Sequence, residues 1–169
     1  GNTSEVRVHP TLIANDHPLS QVNGSFNAVY LHGHACKEMM LQGRGAGDLP
    51  TASAVVGDIL HAATVDVHVH PTFVNSANAD ASLVFTNDWK TRYFLRLSIQ
   101  DEPGSLAKIA TWLSSEQVSI ATMMQRAELA GSRVPLIIIT HEANEQAIRA
   151  ALAKFDPEVC TVENMIRVE

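Results

Sequence analysis

Apolar positions along this chain change their spacing several times, and the changes mark its elements. "EVRVHPTLI" and "FNAVYLHGHACKEMMLQG" read as strands, the second as a pair that turns at His32-Gly33-His34. Past three alternate glycines, Ala52, Val55, Val56, Ile59, Leu60 and Ala63 recur at helical intervals, so one face of a helix is apolar. Asp48 or Thr51 is placed to cap its first free N–H groups, and Pro50 fits a first turn. Residues 66–92 then lose both periods while Asn, Asp, Ala and Ser accumulate, which reads as a linker with a short strand in "VDVHVH".

From residue 93 the pattern is simpler. "RYFLRLSIQ" alternates Phe94, Arg96 and Ser98 against Leu95, Leu97 and Ile99, a half-buried strand; "DEPGSL" breaks it, and Leu106, Ile109, Ala110 and Leu113 mark a helix. "VSIATMMQRAEL" is a second strand, Ala130-Gly131-Ser132 a turn, and "RVPLIIITHE" a third strand expected to be a continuous buried run. Ala147, Ile148, Ala151, Leu152 and Phe155 stripe a second helix, and "EVCTVENMIRVE" closes as a strand. The order βαββαβ predicts an α+β, ferredoxin-like sandwich of two helices on one antiparallel sheet. The segment before the linker has one helix against three or four strands and opens on a strand that needs neighbours, as the end of a larger domain would.

Composition narrows the function classes. Over 169 residues there are 18 acidic and 12 basic side chains, a formal charge of -6, with no Lys/Arg run; nucleic acid is not an expected partner. No apolar stretch approaches the roughly 20 residues of a spanning helix, and "GNTSEVRVHP" has no signal-peptide pattern, so no membrane partner is expected either. Cys36 and Cys160 form neither a disulfide framework nor a CxxC pair, which points to a reducing cytoplasm.

Candidate chemistry is sparse. A dinucleotide fingerprint needs G-x-G-x-x-G after a strand and an acid about 20 positions on. Here the spacing is Gly43-x-Gly45-Ala46-Gly47, with Asp48 following and no later acid-bearing strand, so the fingerprint fails. The loop either lends one wall to an anion site, through close backbone approach and a helix start, or simply bends strand into helix. Asp101-Glu102-Pro103-Gly104-Ser105-Leu106 likewise opens a helix, suited to a small carboxylate or to a plain reversal. His68 with His70, and His32 with His34, lack a third ligand at a metal-site interval. Asp58 and Glu38 read as solvated or capping charges, and Met39, Met40, Met123 and Met124 as residues that fill or border cores.

Several stretches in order resemble one family: "EVRVHPTLI", "HPLSQVNGSFNAVYLHG", "MMLQGRGAGDLPTASAVVGDIL", "TRYFLRLSIQDEPGSLAKIATWLSSEQVSIATMMQ", "VPLIIITHEA" and the final "IRVE". They are similar to the C-terminal portion of bacterial homoserine dehydrogenase, in the form that ends in an ACT domain. The resemblance implies that residues 1–65 are the last, incomplete part of the catalytic α/β domain, 66–92 a linker and 93–169 the ACT regulatory domain. It implies a parent enzyme that interconverts L-aspartate 4-semialdehyde and L-homoserine with NADP or NAD, in threonine and methionine biosynthesis. The family's Rossmann domain and proton-transfer lysine are not in this stretch, so this chain alone is expected to be inactive, with no catalytic residue of its own and no tightly held cofactor.

By the same resemblance Gly47, with Gly43, Gly45 and Ala46, lines the nicotinamide cofactor. Asp101, Pro103, Gly104, Ser105 and Leu106, with Ser119 and Ile120, contact an amino-acid effector, threonine being expected. The ACT domains are expected to pair into a homo-oligomer. The effector-contacting segment departs from the family at Val118-Ser119-Ile120-Ala121, where an acidic residue or asparagine usually follows, and the linker is acidic and His-rich where relatives carry a basic, glycine-containing one. A free-standing amino-acid sensor, or a module that only oligomerises, is the alternative.

Overall fold

A computed structural model describes residues 3–64, 84–125 and 132–169. In chain order the elements are β1 (Thr3–Ser4), β2 (Thr11–Leu12), a 3-10 turn (Pro18–Gln21), β3 (Phe26–Gly33), β4 (Lys37–Arg44), α1 (Asp48–Thr64), β5 (Val84–Phe85) and β6 (Lys90–Gln100). There follow α2 (Ser105–Ser115), β7 (Ile120–Gln125), β8 (Arg133–Thr140), β9 (Ala143–Asn144), α3 (Glu145–Ala153) and β10 (Cys160–Val168). The expected strand in "VDVHVH", His68 and His70, most of the expected linker, and Ala130 and Gly131 of the expected turn lie outside the described residues. The described residues group into two compact units, one of 3–12 with 84–169 and one of 13–64.

Alternation in β6 decides the first unit. Tyr93, Leu95, Leu97 and Ile99 are all buried, while Phe94, Arg96 and Ser98 face the other way. Across the antiparallel ladder Leu95 pairs with Ile138 and Leu97 with Leu136, so two strands present one apolar face. Ile109 and Leu113 of α2 and Ile148 and Ala151 of α3 close on that face, with Trp112 against Phe155 at 5.4 Å between ring centroids. Each such aliphatic side chain contributes about 1.5–3 kcal/mol by leaving water. The four long strands lie in the order β10-β6-β8-β7, all antiparallel, which is the expected ferredoxin-like arrangement with the first and third strands central.

Three details differ from the sequence reading. The continuous buried run expected in β8 is an alternation: Val134, Leu136, Ile138 and Thr140 are buried, whereas Ile137 and Ile139 are only half-buried. Helices cover only one face of the sheet, so an apolar residue on the other stays partly open. In "EVRVHPTLI" only Thr11 and Leu12 enter a ladder, parallel to β10, and Val6 and Val8 are exposed. Their alternation imitates a strand, but a strand needs a paired neighbour. The methionines Met39, Met123 and Met124 are exposed as well, because β4 and β7 lie at the ends of their ladders among the described residues.

The short pairings of β1 with β5 and β2 with β10 place the chain's first residues in the C-terminal unit, an association that composition along the sequence cannot display. A buried charge cluster supports the same region. Glu145, 3% exposed, accepts from Tyr93 Oη at 2.9 Å and Arg149 Nε at 2.8 Å, and pairs with Arg167. Burial pushes its carboxyl up, but hydrogen bonds from Arg167, Tyr93 and Arg149 outweigh this and hold it below the usual carboxylate value. Arg7 and Arg167 stack on Trp89 at 5.2 and 5.8 Å, so the N-terminal arm and β10 share one aromatic ring.

The second unit is a hairpin, a 3-10 turn and a long helix. β3 and β4 pair from Phe26 opposite Arg44 to Gly33 opposite Lys37, so the turn falls at 34–36, just beyond the expected His32-Gly33-His34, with Lys37 in the left-handed region at φ 58°. The helix predicted after the glycines is present, yet Val55, Val56, Ile59 and Leu60 are each more than half exposed. Neither the Asp48 nor the Thr51 side chain makes a capping bond among the described residues; the Thr51 amide instead donates to Gly47 O at 3.1 Å.

The two thiols are expected to differ sharply. Cys36 is exposed, whereas burial pushes the Cys160 thiol up to about 11, against the opposing charge of Arg133 and with Asp156 adding to the rise. Titration of the native protein with a disulfide reagent near neutral pH should show one fast thiol, and the second only after denaturant is added; two fast thiols would contradict the buried strand start at Cys160.

Candidate functional site

At the end of β6, three chain segments enclose a cleft of about 460 Å³. The register places Arg133, first residue of β8, opposite Gln100, and the Gln100 amide donates to Val159 O at 2.9 Å. Pro103 and Ser105 bring in the turn and the start of α2, with Lys108 one turn further along. Asp156 and Glu158, between α3 and β10, form the facing wall, and Glu102 completes the charged rim.

The local chemistry follows from an uncapped helix. Gly104 sits at the cap position with φ 95°, a left-handed conformation that suits glycine, and it has no side chain to satisfy the helix start. Ser105 N donates to Glu102 O at 3.2 Å and Lys108 N to Gly104 O at 3.0 Å, while the amides of Leu106 and Ala107 find no acceptor among the described residues. Ser105 is 6% exposed and lines the cleft. Arg133 is pinned by its donation to Ser98 O at 3.1 Å and Pro157 O at 3.4 Å, and Asp156 Oδ1 accepts from Glu158 N at 2.9 Å. Both walls are therefore tied to the backbone.

Of the expected effector residues, Pro103 and Ser105 line this cleft. Asp101 lies beside it and accepts from Gln125 Nε2 at 3.4 Å; Gly104 and Leu106 belong to the same turn. Ser119 and Ile120 are elsewhere. Ile120 pairs with Thr140, the last residue of β8, whereas the cleft is at the first, Arg133. At about 3.3 Å per residue those ends stand on the order of 20 Å apart. Within one chain, then, the two expected groups occupy opposite ends of the sheet. The sequence reading missed Lys108, Arg133, Asp156 and Glu158, each of which looks like an ordinary solvated charge until the strand register assembles them.

The glycine passage has a different character. Gly43 and Gly45 edge a largely apolar depression on the hairpin with Val29 and Leu41, while Ala46 and Gly47 lead on to α1 without lining it. A Cβ at Gly45 would stand 1.6 Å from the side-chain Nδ2 of Asn27, which would have to move aside, whereas Gly47, with φ 122°, requires glycine for its backbone; Gly43 has open space above it. Among the described residues no three His, Cys, Asp or Glu side chains converge as a metal site, and no helix is long and apolar enough to cross a membrane.

Residues 1–60 match the family model "Homoserine dehydrogenase" and residues 93–156 the model "ACT domain". The chain is 38% identical over 165 residues to a homoserine dehydrogenase of Corynebacterium glutamicum, covering 96% of this chain and 37% of that protein. One of Pseudomonas aeruginosa is 39% identical, with 90% and 37% covered. The crystal structure of a homoserine dehydrogenase from Thiobacillus denitrificans superposes with a TM-score of 0.81 at 35% identity, over 100% of this chain and 40% of that one. The chain thus spans about two fifths of the length of the relatives it matches. It belongs to the homoserine dehydrogenase family, corresponding to the C-terminal region of such a protein together with its ACT domain.

Proposed function

We propose that this chain is the regulatory end of a protein that interconverts L-aspartate 4-semialdehyde and L-homoserine with NADP or NAD, a step of threonine and methionine biosynthesis in the cytoplasm. Residues 1–65 belong to the catalytic domain, 66–92 link, and 93–169 form an ACT domain that binds an amino-acid effector, threonine in the first instance, and pairs with further copies. The observation that carries this reading is the superposition of the whole chain, both units included, on one solved homoserine dehydrogenase.

The residues present fit only an edge of a nicotinamide site. Gly43 leaves open space, and Gly45, Ala46 and Gly47 run into the first turn of α1, but among the described residues no acid is placed to read a ribose. When bound, the cofactor supplies the hydride; the chain's own part is a backbone wall. Hydride transfer needs donor and acceptor held in near-attack geometry, which a wall alone cannot do. The 169-residue chain is therefore expected to show no turnover of homoserine with NADP or NAD, and calorimetric titration should detect threonine but not NADPH. Turnover above background would reject the proposed division of labour. The alternative of an independent amino-acid sensor draws on one feature, the self-contained core of the C-terminal unit. It would be favoured if threonine binds and a full-length parent shows no threonine-dependent change in rate.

A further inference from the structure

We propose that residues 3–12 are a strap, a segment of the catalytic part docked on the regulatory unit, whose docking changes with the effector and so carries the effector's presence towards catalysis. The proposal goes beyond the function given above and, for the effector alone, rests on the reading of the C-terminal unit as an amino-acid receptor.

The segment belongs to one part of the protein and packs in the other. Residues 1–60 match the homoserine dehydrogenase model, yet 3–12 group with 84–169, and the chain passes into the second unit at Ile13. A shift of the strap is therefore passed along the backbone to the segment that forms β3 and β4.

Little holds it in place. Thr3 and Ser4 pair with Val84 and Phe85, and Thr11 and Leu12 with Arg167 and Val168, one short ladder at each end. Between the ladders Val6 and Val8 are 76% and 100% exposed, and the grip comes from Trp89. Arg7 lies over its ring at 5.2 Å, and the His9 ring lies nearly parallel to it at 6.3 Å. A segment with so few buried apolar contacts opens far more readily than the core.

The docked state is also imperfect. Arg7 Nη1 and Trp89 Nε1 are buried and have no hydrogen-bond partner among the described residues. Glu5 and Glu169 stand 3.6 and 3.9 Å from Arg7 Nη2, too far for hydrogen bonds. Two buried donors without acceptors disfavour the closed strap, and lifting it gives both to water. Such a penalty keeps the closed and open states near balance, the property a switch requires.

A path into the regulatory unit meets the strap at the same ring. Trp89 also carries Arg167, at 5.8 Å, and Arg167 pairs with Glu145, the first residue of α3. Movement of α3 or β10 thus reaches the platform on which Arg7 rests.

Hydrogen exchange of the 169-residue chain tests the strap itself. The peptide covering 3–12 should exchange at least tenfold faster than β6. Arg7→Ala should speed it at least threefold more while β6 and β8 stay unchanged, with Arg7→Lys in between. Saturating threonine should alter the strap's exchange at least threefold in wild type. In the full-length enzyme, Arg7→Ala should keep kcat, the KM for homoserine and calorimetric threonine binding, yet lose more than half of the inhibition by saturating threonine. A merely structural residue would move stability and leave that inhibition intact. A strap that exchanges as slowly as β6, or whose exchange ignores bound threonine, would overturn the proposal, as would full inhibition of Arg7→Ala. In each of those cases threonine binding leaves the receptor reading standing. No threonine binding at all would instead overturn the receptor reading, and the coupling with it.

Discussion

Replacing Glu145 with alanine should destabilise the C-terminal unit by about 3–5 kcal/mol, the range for removing one partner of a buried ion pair. The magnitude follows from what is left behind. The Arg167 side chain is 11% exposed and would keep its charge with no carboxylate beside it, and the Tyr93 hydroxyl would lose its acceptor in the interior. Arg149 matters less: its side chain is 62% exposed, and water replaces what it loses. Glu145→Gln keeps an oxygen for Tyr93 while removing the charge, and should fall between wild type and alanine. Urea unfolding followed by tryptophan fluorescence reads this directly, because both tryptophans, Trp89 and Trp112, lie in the C-terminal unit. A midpoint unchanged in Glu145→Ala would show that the cluster is solvated and contributes nothing.

The same carboxyl gives a pH signature. Its folded value lies below the unfolded one, so its stabilisation is present above the ordinary glutamate range near 4.5 and is lost as pH falls through the folded value. Wild type should therefore lose stability on acidification more steeply than Glu145→Gln. Parallel curves for the two proteins would remove Glu145 as the titrating group.

The elements that the sequence displays clearly are those with one buried face. β6 shows its alternation because Arg96 and Ser98 interrupt the leucines, and α3 shows its stripe because Gln146, Arg149 and Ala150 separate the apolar positions. β8 conceals its alternation because Ile137 and Ile139 put apolar residues on the half-open face as well. α1 reveals its helix but not its environment: a period of 3.6 specifies which side is apolar, not whether anything covers it. Glu145 is harder still, since an acid at a helix start ordinarily complements the helix dipole in water, and only the position of Arg167, 22 residues away, makes it buried and paired.

Site residues follow the same logic. The turn from Asp101 to Leu106 is visible because glycine and proline punctuate it locally. Lys108, Arg133, Asp156 and Glu158 come from three separate segments and meet only through the pairing of Gln100 with Arg133 and the bond from Gln100 to Val159. Local patterns carry no signal for such a convergence. Ser119 and Ile120 illustrate the converse, since the family resemblance groups them with Ser105 whereas the strand register puts them at the other end of the sheet.

Leu97→Ala and Ile59→Ala, two similar truncations, should have opposite outcomes. Leu97 is fully buried at the centre of the sheet, opposite Leu136, beneath the layer formed by α2 and α3. Close packing on all sides prevents collapse around the missing atoms, so the loss combines transfer free energy with a cavity, about 2–5 kcal/mol, read as a lowered fluorescence midpoint in urea. Ile59 has the same number of carbons but is 61% exposed on α1. There alanine gives up little burial and gains helix propensity, so far-UV circular dichroism should show a change within about 0.5 kcal/mol of wild type. If Ile59→Ala were as damaging as Leu97→Ala, the apolar stripe of Val55, Val56, Ile59 and Leu60 would have to be covered in solution. An undamaging Leu97→Ala would mean that the β6–β8 layer is not the core on which the C-terminal unit depends.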